Sequence, residues 1–297
     1  MAGMLYQKLR QKLVDWLTRE PVPAEVPPYD YNRLKYEIRP GDVLLIEGLS
    51  RISQITRRVT QSPWTHAALY IGRMNDFEDE EISGIIKKHT DKKPNVRLII
   101  EGLVNKGTVV SPLSDYKNLH IRICRPMGIT PEDIDRVIAY AVKALGEPYN
   151  VRQLLDLARF LLPIAFIPRR WKSSLFSTPS GEPEGGICSS LIAEAFESVH
   201  FPVLPFVKAV PSGMEFIPRN PHLFTPKDFD FSPYFAIIKY PLINPDEPSP
   251  YYRRLPWTKS GIAYQDEGVF SKPPKKVKKA DDKAEPSIKT DKNKPQE

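Results

Sequence analysis

An α+β fold, an antiparallel sheet packed against helices, is what this sequence predicts. Three observations carry that expectation. Short strand-like runs succeed one another between residues 43 and 125, close enough for hairpins to join neighbours. Two runs with helical spacing, at 130–145 and 188–199, supply apolar faces to cover such a sheet. The 31 prolines among 297 residues, well above the usual share of roughly 5%, require many loops and extended segments.

The elements follow in order. Residues 5–20 read as an amphipathic helix, with Leu5, Leu9, Leu13, Trp16 and Leu17 on one face and Lys8, Arg10, Lys12 and Arg19 on the rest. Such a basic helix either docks on its own domain or lies on an anionic membrane surface. Pro21, Pro23, Pro27 and Pro28 make 21–39 a connector, so residues 1–38 stand apart from the body. Pro40-Gly41-Asp42 is a turn into a buried strand at Val43–Glu47. Ser50 to Thr60 carries Ile52, Ile55 and Val59 at helical spacing, and Ser62-Pro63-Trp64 breaks it. Trp64 to Gly72 is a strand whose alternation sets Trp64, His66, Ala68 and Tyr70 on one face. A charged excursion over 73–95 contains one short helix at 78–88. Strands then recur at 96–103, 107–110 and 119–125. Thr130-Pro131-Glu132-Asp133 opens a helix with an N-cap, a proline at its first position and acids in its first turn, and Gly146 closes it.

Residues 151–167 are strongly apolar, and Arg169, Arg170, Trp171 and Lys172 follow at once. Three readings fit that stretch: a core helix, a wall for an acyl chain, or a shallow membrane contact over 151–172. The run from Cys188 to Val199 is a helix, residues up to about 230 are proline-rich and aromatic, and 234–240 is a last strand. A body spanning 39–265, with an apolar insertion near 151–184, is therefore expected to precede a disordered tail at 266–297.

Composition excludes several classes. The net charge is +7, but nine lysines against five acids from Lys272 to Glu297 place +4 of it in the tail. A body near +3 gives little support to nucleic-acid binding, and no specific nucleic-acid partner is expected. Two cysteines, Cys124 and Cys188, cannot build a disulfide framework and fit a reducing compartment. There is no secretory leader pattern and no uncharged run of the roughly 18–20 residues that span a bilayer. A cytoplasmic protein, peripheral on the membrane if the basic helix binds one, is the expectation. His-Glu-x-x-His, paired Cys-x-x-Cys and a Gly-rich phosphate loop are all missing, so neither a metal nor a cofactor is expected.

Chemistry centres on Gly185-Gly186-Ile187-Cys188, where two glycines lead a cysteine into the first turn of a helix. Unpaired N–H groups and the positive dipole end there favour a thiolate. The same pattern suits a small buried residue that simply begins a core helix. A nucleophilic cysteine needs a base and a group to orient it. Of five histidines, His66 lies in a strand between apolar neighbours, where its ring must find a partner. Glu101 closes the apolar run Leu98-Ile99-Ile100, where a carboxylate belongs only if it is paired. If the two strands are neighbours, His66 and Glu101 share a face and leave one ring nitrogen for a thiol. Otherwise each is satisfied separately. Cys124, in a strand between Ile123 and Arg125, reads as structural.

Pro40-Gly41-Asp42, Ser62-Pro63-Trp64-Thr65-His66-Ala67-Ala68-Leu69-Tyr70-Ile71-Gly72, Ile100-Glu101-Gly102 and Cys188-Ser189-Ser190-Leu191 together resemble the circularly permuted papain-like hydrolases. Within these, the YiiX/YaeF-type amidases are most similar, with the NlpC cell-wall peptidases and lecithin–retinol acyltransferase as more distant relatives. The resemblance covers about residues 39–240, and it implies a permuted papain-like fold in which His66 and Glu101 precede Cys188. It further implies Cys188 as nucleophile, His66 as base and then acid, and Glu101 as the orienting residue. Tyr149 matches a tyrosine bordering the site in NlpC-type enzymes. With Trp64 and Ser189 it is expected to contact the oxyanion or substrate. The implied activity is a cysteine hydrolase opening an amide or thioester of a lipid or acylated peptide through a thioacyl enzyme. Acyl transfer of the lecithin–retinol acyltransferase kind, or a non-catalytic lipid- or membrane-binding module, are the competing readings.

Overall fold

The computed structural model describes residues 29–104, 106–148 and 188–241, together with 11, 12, 15, 16, 18 and 19. Most of the first helix, Tyr149, the apolar stretch at 151–172, the rest of the insertion and the lysine-rich tail lie outside the described residues.

Six strands form one antiparallel sheet. They are β1 (Val43–Glu47), β2 (His66–Arg73), β3 (Arg97–Leu103), β4 (Gly107–Pro112), β5 (His120–Pro126) and β8 (Phe235–Ile238). Their spatial order is β4-β3-β2-β1-β5-β8. Only β3 and β4 are joined by a tight hairpin. Helix α2 (Arg51–Thr60) connects β1 to β2 and α3 (Glu80–His89) connects β2 to β3, while β5 pairs back onto β1. The antiparallel sheet foreseen from the sequence is therefore present, but helices rather than hairpins join most of its strands.

Alternation along the strands divides the core in two. Leu45, Ala67, Leu69, Leu98 and Ile100 face one way and pack under α4 (Pro131–Lys143) and α5 (Cys188–Glu197). Leu44, Ile46, Ala68, Tyr70 and Ile99 face the other way, toward α1 (Tyr31–Glu37) and Tyr240. Caps place the helix starts. Ser50 accepts from the Ser53 N–H, Asp79 from Glu81 and Ile82, and Thr130 from Asp133.

Two segments contain more structure than their proline content suggests. Within the expected connector, Asp30 caps α1 and Leu34 is fully buried, so this short helix closes one face of the sheet. The stretch after Val199 folds into a hairpin of β6 (Phe206–Val210) and β7 (Gly213–Ile217), then α6 (Pro226–Phe231). Proline opens α6 instead of breaking it, since a first helical residue needs no N–H partner.

Candidate active site

His66 is the first residue of β2 and Cys188 the first of α5. By strand parity His66 shares its face with Ala68 and Ile46, whereas α5 packs on the opposite face. The two side chains meet because each stands at the very start of its element, where the sheet no longer separates them. The imidazole hydrogen-bonds the Cys188 sulfur, and the backbone N–H groups of Ala67 and Ser189 also donate to that sulfur.

Glu101 lies opposite Ala68 on β3, which puts it diagonally across from His66 on the same face. His66 Nε2 donates to Glu101 Oε2 at 2.6 Å, leaving Nδ1 for the sulfur. The carboxylate is only 2% exposed. It is held by two further donors that sequence patterning does not single out. The Tyr116 hydroxyl bonds the same oxygen, and Ser111 on β4 donates as well. Tyr116 ends the 3-10 turn Leu113–Tyr116, which folds back over this face, and its ring stacks on His66 with centroids 6.1 Å apart. The available signal was weak: a tyrosine among polar residues just past a strand has no periodic pattern.

Electrostatics follow from these contacts. Burial on its own would push the Glu101 carboxyl up, but donation from His66, Ser111 and Tyr116 holds it below the usual carboxylate range. Burial pulls His66 down, yet the sulfur and Glu101, both against its ring, push it up to about 10. Burial likewise disfavours a charged Cys188. The adjacent imidazolium and the two N–H donors outweigh it and bring the thiol below its ordinary value. Both shifts favour the charged pair, thiolate and imidazolium, over the neutral one. Cys124 shows the contrast: fully buried in β5 and far from any helix start, it is pushed up to about 12, chiefly by burial.

A cleft of about 530 Å³ opens at this pair. Ile52, Ser53, Thr56 and Thr60 of α2 line it, as do Leu103, Tyr116 and Leu119. Ser189 borders the cleft beside Cys188, although its hydroxyl is directed to the Phe224 carbonyl at 2.7 Å. Trp64 is placed differently from the strand alternation. The strand begins at His66, so Trp64 precedes the pleat and packs with the opposite core. Its indole N–H donates to Asp230, and the Arg122 guanidinium lies over its ring, 4.7 Å from the centroid. Trp64 thus sits in the core, outside the lining of the cleft. Tyr149 falls outside the described residues.

The N-terminal helix reaches this region too. Arg51 donates to the Trp16 carbonyl at 3.0 Å and lies over its ring, and Thr18 borders the cleft. Among the described residues no cluster of three His, Cys, Asp or Glu side chains could hold a metal ion, and no helix is long and apolar enough to cross a membrane.

Residues 37–157 match the family model of the permuted papain-like amidase enzymes, YaeF/YiiX, C92 family. Among solved structures, the chain is similar to the crystal structure of metalloprotein yiiX from Escherichia coli O157:H7. The identity is 13% and the TM-score 0.41, over 68% of this chain and 97% of that one. No curated protein matches.

Proposed function

From a chain whose residues 37–157 match the family model of the permuted papain-like amidases of the YaeF/YiiX type, we propose a cysteine hydrolase that uses Cys188, His66 and Glu101. One observation carries this reading. Three side chains remote in sequence form a single hydrogen-bonded line of sulfur, imidazole and buried carboxylate. A structural histidine needs one partner. This one has two, on opposite sides of its ring, in the arrangement of a catalytic triad.

The chemistry follows from the charges. The Cys188 thiolate attacks the carbonyl carbon of an amide or thioester, and the carbonyl electron pair moves onto oxygen. The oxyanion forms beside the first turn of α5, where the Cys188 backbone N–H and the positive helix end face it. As the tetrahedral species collapses, the bond to the leaving amine or thiol breaks, and His66 gives its proton to that group. Glu101 keeps the ring oriented and stabilises its positive form. Neutral His66 then takes a proton from water, which attacks the thioester carbonyl. The sulfur–carbon bond breaks, releasing the carboxylic acid and restoring thiolate and imidazolium. An amine or alcohol in place of water would make the same site an acyltransferase.

The test is the pH dependence of Cys188 alkylation by iodoacetamide, followed by mass spectrometry of the labelled peptide. Fast labelling well below pH 8, lost in His66→Ala, is expected. Labelling of Cys188 that rises only near pH 8.5, like an ordinary thiol, would overturn the assignment and favour the non-catalytic module.

A further inference from the structure

The hydroxyl groups bordering the cleft fall into two sets. Thr56 donates to the Ile52 carbonyl at 3.0 Å and Thr60 to the Thr56 carbonyl at 2.9 Å, the back-bonding open to threonine in a helix. Ser189 donates to the Phe224 carbonyl. Ser50 and Ser53, at the start of α2, are different. Their oxygens lie 2.8 Å apart, and the Ser50 oxygen also accepts from the Ser53 N–H. Two hydroxyls that share one hydrogen bond use one proton and keep the other. Whichever of them donates, no carbonyl or carboxylate among the described residues takes the proton that remains. Both side chains border the cleft, with Ser50 4% and Ser53 8% exposed.

Thr65 adds a second such donor. Its oxygen accepts from the Gly48 N–H at 2.9 Å. Its own proton reaches only the Ile46 carbonyl, at 3.5 Å, far beyond the usual O–H···O distance of about 2.7–2.8 Å. That carbonyl already accepts from the Thr65 N–H. Gly48 stands between the two groups, where a Cβ would lie 2.4 Å from Ser53 Oγ and 3.0 Å from Thr65 Oγ1. The bare glycine therefore leaves a niche in the cleft wall with hydroxyl protons on both sides. A buried donor without an acceptor costs about 1–3 kcal/mol, so an oxygen placed there is stabilising. None of the four residues carries a charge, and an anion stripped of water would find no counter-ion in the niche. A neutral carbonyl oxygen fits its chemistry.

The place of the niche says which part of a substrate reaches it. Thr65 immediately precedes His66, and Ile46, two residues before Gly48, lies opposite His66 on β1. The niche thus adjoins the ring that protonates the leaving group. Resting on the reading of Cys188 as nucleophile and His66 as that acid, we infer that Ser50, Ser53 and Thr65 hold a neutral carbonyl oxygen on the leaving-group side of the substrate. A leaving amine or thiol with a carbonyl one carbon from its attachment atom, the spacing found in an amino-acid residue, is then preferred over a plain alkyl one.

The experiment uses the full chain and hexanoyl thioesters of three thiols. N-methylmercaptoacetamide carries a neutral carbonyl, mercaptoacetate carries an anion, and butanethiol carries neither. Each kcat/KM is divided by the rate of the same thioester with free cysteine in buffer, which removes intrinsic leaving-group reactivity, and Cys188→Ala gives the background. The inference expects the mercaptoacetamide ester to exceed the butanethiol ester by about five- to tenfold after this division. Ser50→Asp keeps a helix cap, and its carboxylate takes the Ser53 proton. Thr65→Val removes the other donor. Each should lower the preference at least about threefold while the butanethiol ester is still turned over, and the wild-type comparison tests the inference without any variant. Equal rates for the three esters, or a preference that both variants retain, overturn the niche and leave the hydrolase reading standing. Preference for the mercaptoacetate ester overturns the neutral-carbonyl assignment in favour of an anion. Turnover no better than that of Cys188→Ala for every ester overturns the hydrolase reading as well.

Discussion

At the residue scale, Cys188 and His66 carry opposite charges between two acidity limits. The thiol is lowered, so the thiolate is present above its folded pKa and is lost as pH falls through that value. The imidazole is raised, so the imidazolium is present below about 10 and is lost as pH rises through it. A plateau of acylation rate across neutral pH, bounded by those two limbs, is expected in single-turnover kinetics. His66→Ala should lower the rate by about 10²–10⁴. Tyr116→Phe is a finer probe, because it keeps the ring stacked on His66 and removes only the hydroxyl that bonds Glu101. The Glu101 pKa should rise and the His66 pKa fall, moving the basic limb to lower pH. A loss of about tenfold in kcat, with KM little changed, should accompany that shift. An unmoved basic limb would make Tyr116 a packing residue only. Sequence patterning exposed His66 and Glu101 because a titratable group in an apolar strand is conspicuous. It passed over Tyr116, whose neighbours along the chain are polar, and Ser111, a small hydroxyl that no pattern singles out.

At the element scale, the caps and one glycine do most to hold the frame. Thr130 caps α4 far from the cleft, so Thr130→Ala should lower stability by about 1 kcal/mol in urea unfolding and leave turnover unchanged. Gly107 opens β4 at φ +76°, and a Cβ there would stand 2.0 Å from the Glu147 carbonyl oxygen. That carbonyl accepts from the Thr108 N–H, and Gly146 donates back to Thr108, which binds the end of the α4 segment to the sheet. Gly107→Ala should therefore cost about 2 kcal/mol or more, read as a lower urea midpoint. The helices α2, α3 and α4 were legible in advance because periodicity and caps agree within each. Helix α1 and the β6–β7 hairpin were not, since proline density around them masks short elements whose stability comes from packing or pairing.

At the scale of the whole molecule, folding brings carboxylates together on the helical layer. Glu194 on α5 is pushed up to about 7, chiefly by burial and then by Glu147, and Tyr140 donates to it at 3.3 Å. Glu197 is also pushed up to about 7, by burial and then by Glu194. A carboxyl whose folded pKa exceeds its unfolded value binds more protons when folded. Stability therefore falls as pH rises from the unfolded pKa, near 4.3, through about 7, and is level beyond. Thermal unfolding at pH 5 and pH 8 should show the protein less stable at pH 8. Glu194→Gln should narrow that gap, by roughly 1–2 kcal/mol. An equal gap in the variant would assign the pH dependence elsewhere.

From the chain alone came the α+β class, the strand and helix positions between residues 43 and 145, and the three residues that carry the proposed chemistry. Each leaves a local trace, whether a period of two, a period of 3.6, a cap, or a charged group where apolar residues surround it. Tertiary structure decided what has no such trace. It determined that β5 returns to pair with β1, that Trp64 falls out of the alternation, and that Tyr116 and Ser111 converge on Glu101. It also engaged the hydroxyl protons of Thr56 and Thr60 within α2 itself. The physical reason is common to all four. A hydrogen bond or a strand pairing depends on which groups meet in space, and a linear pattern records only which groups are neighbours along the chain.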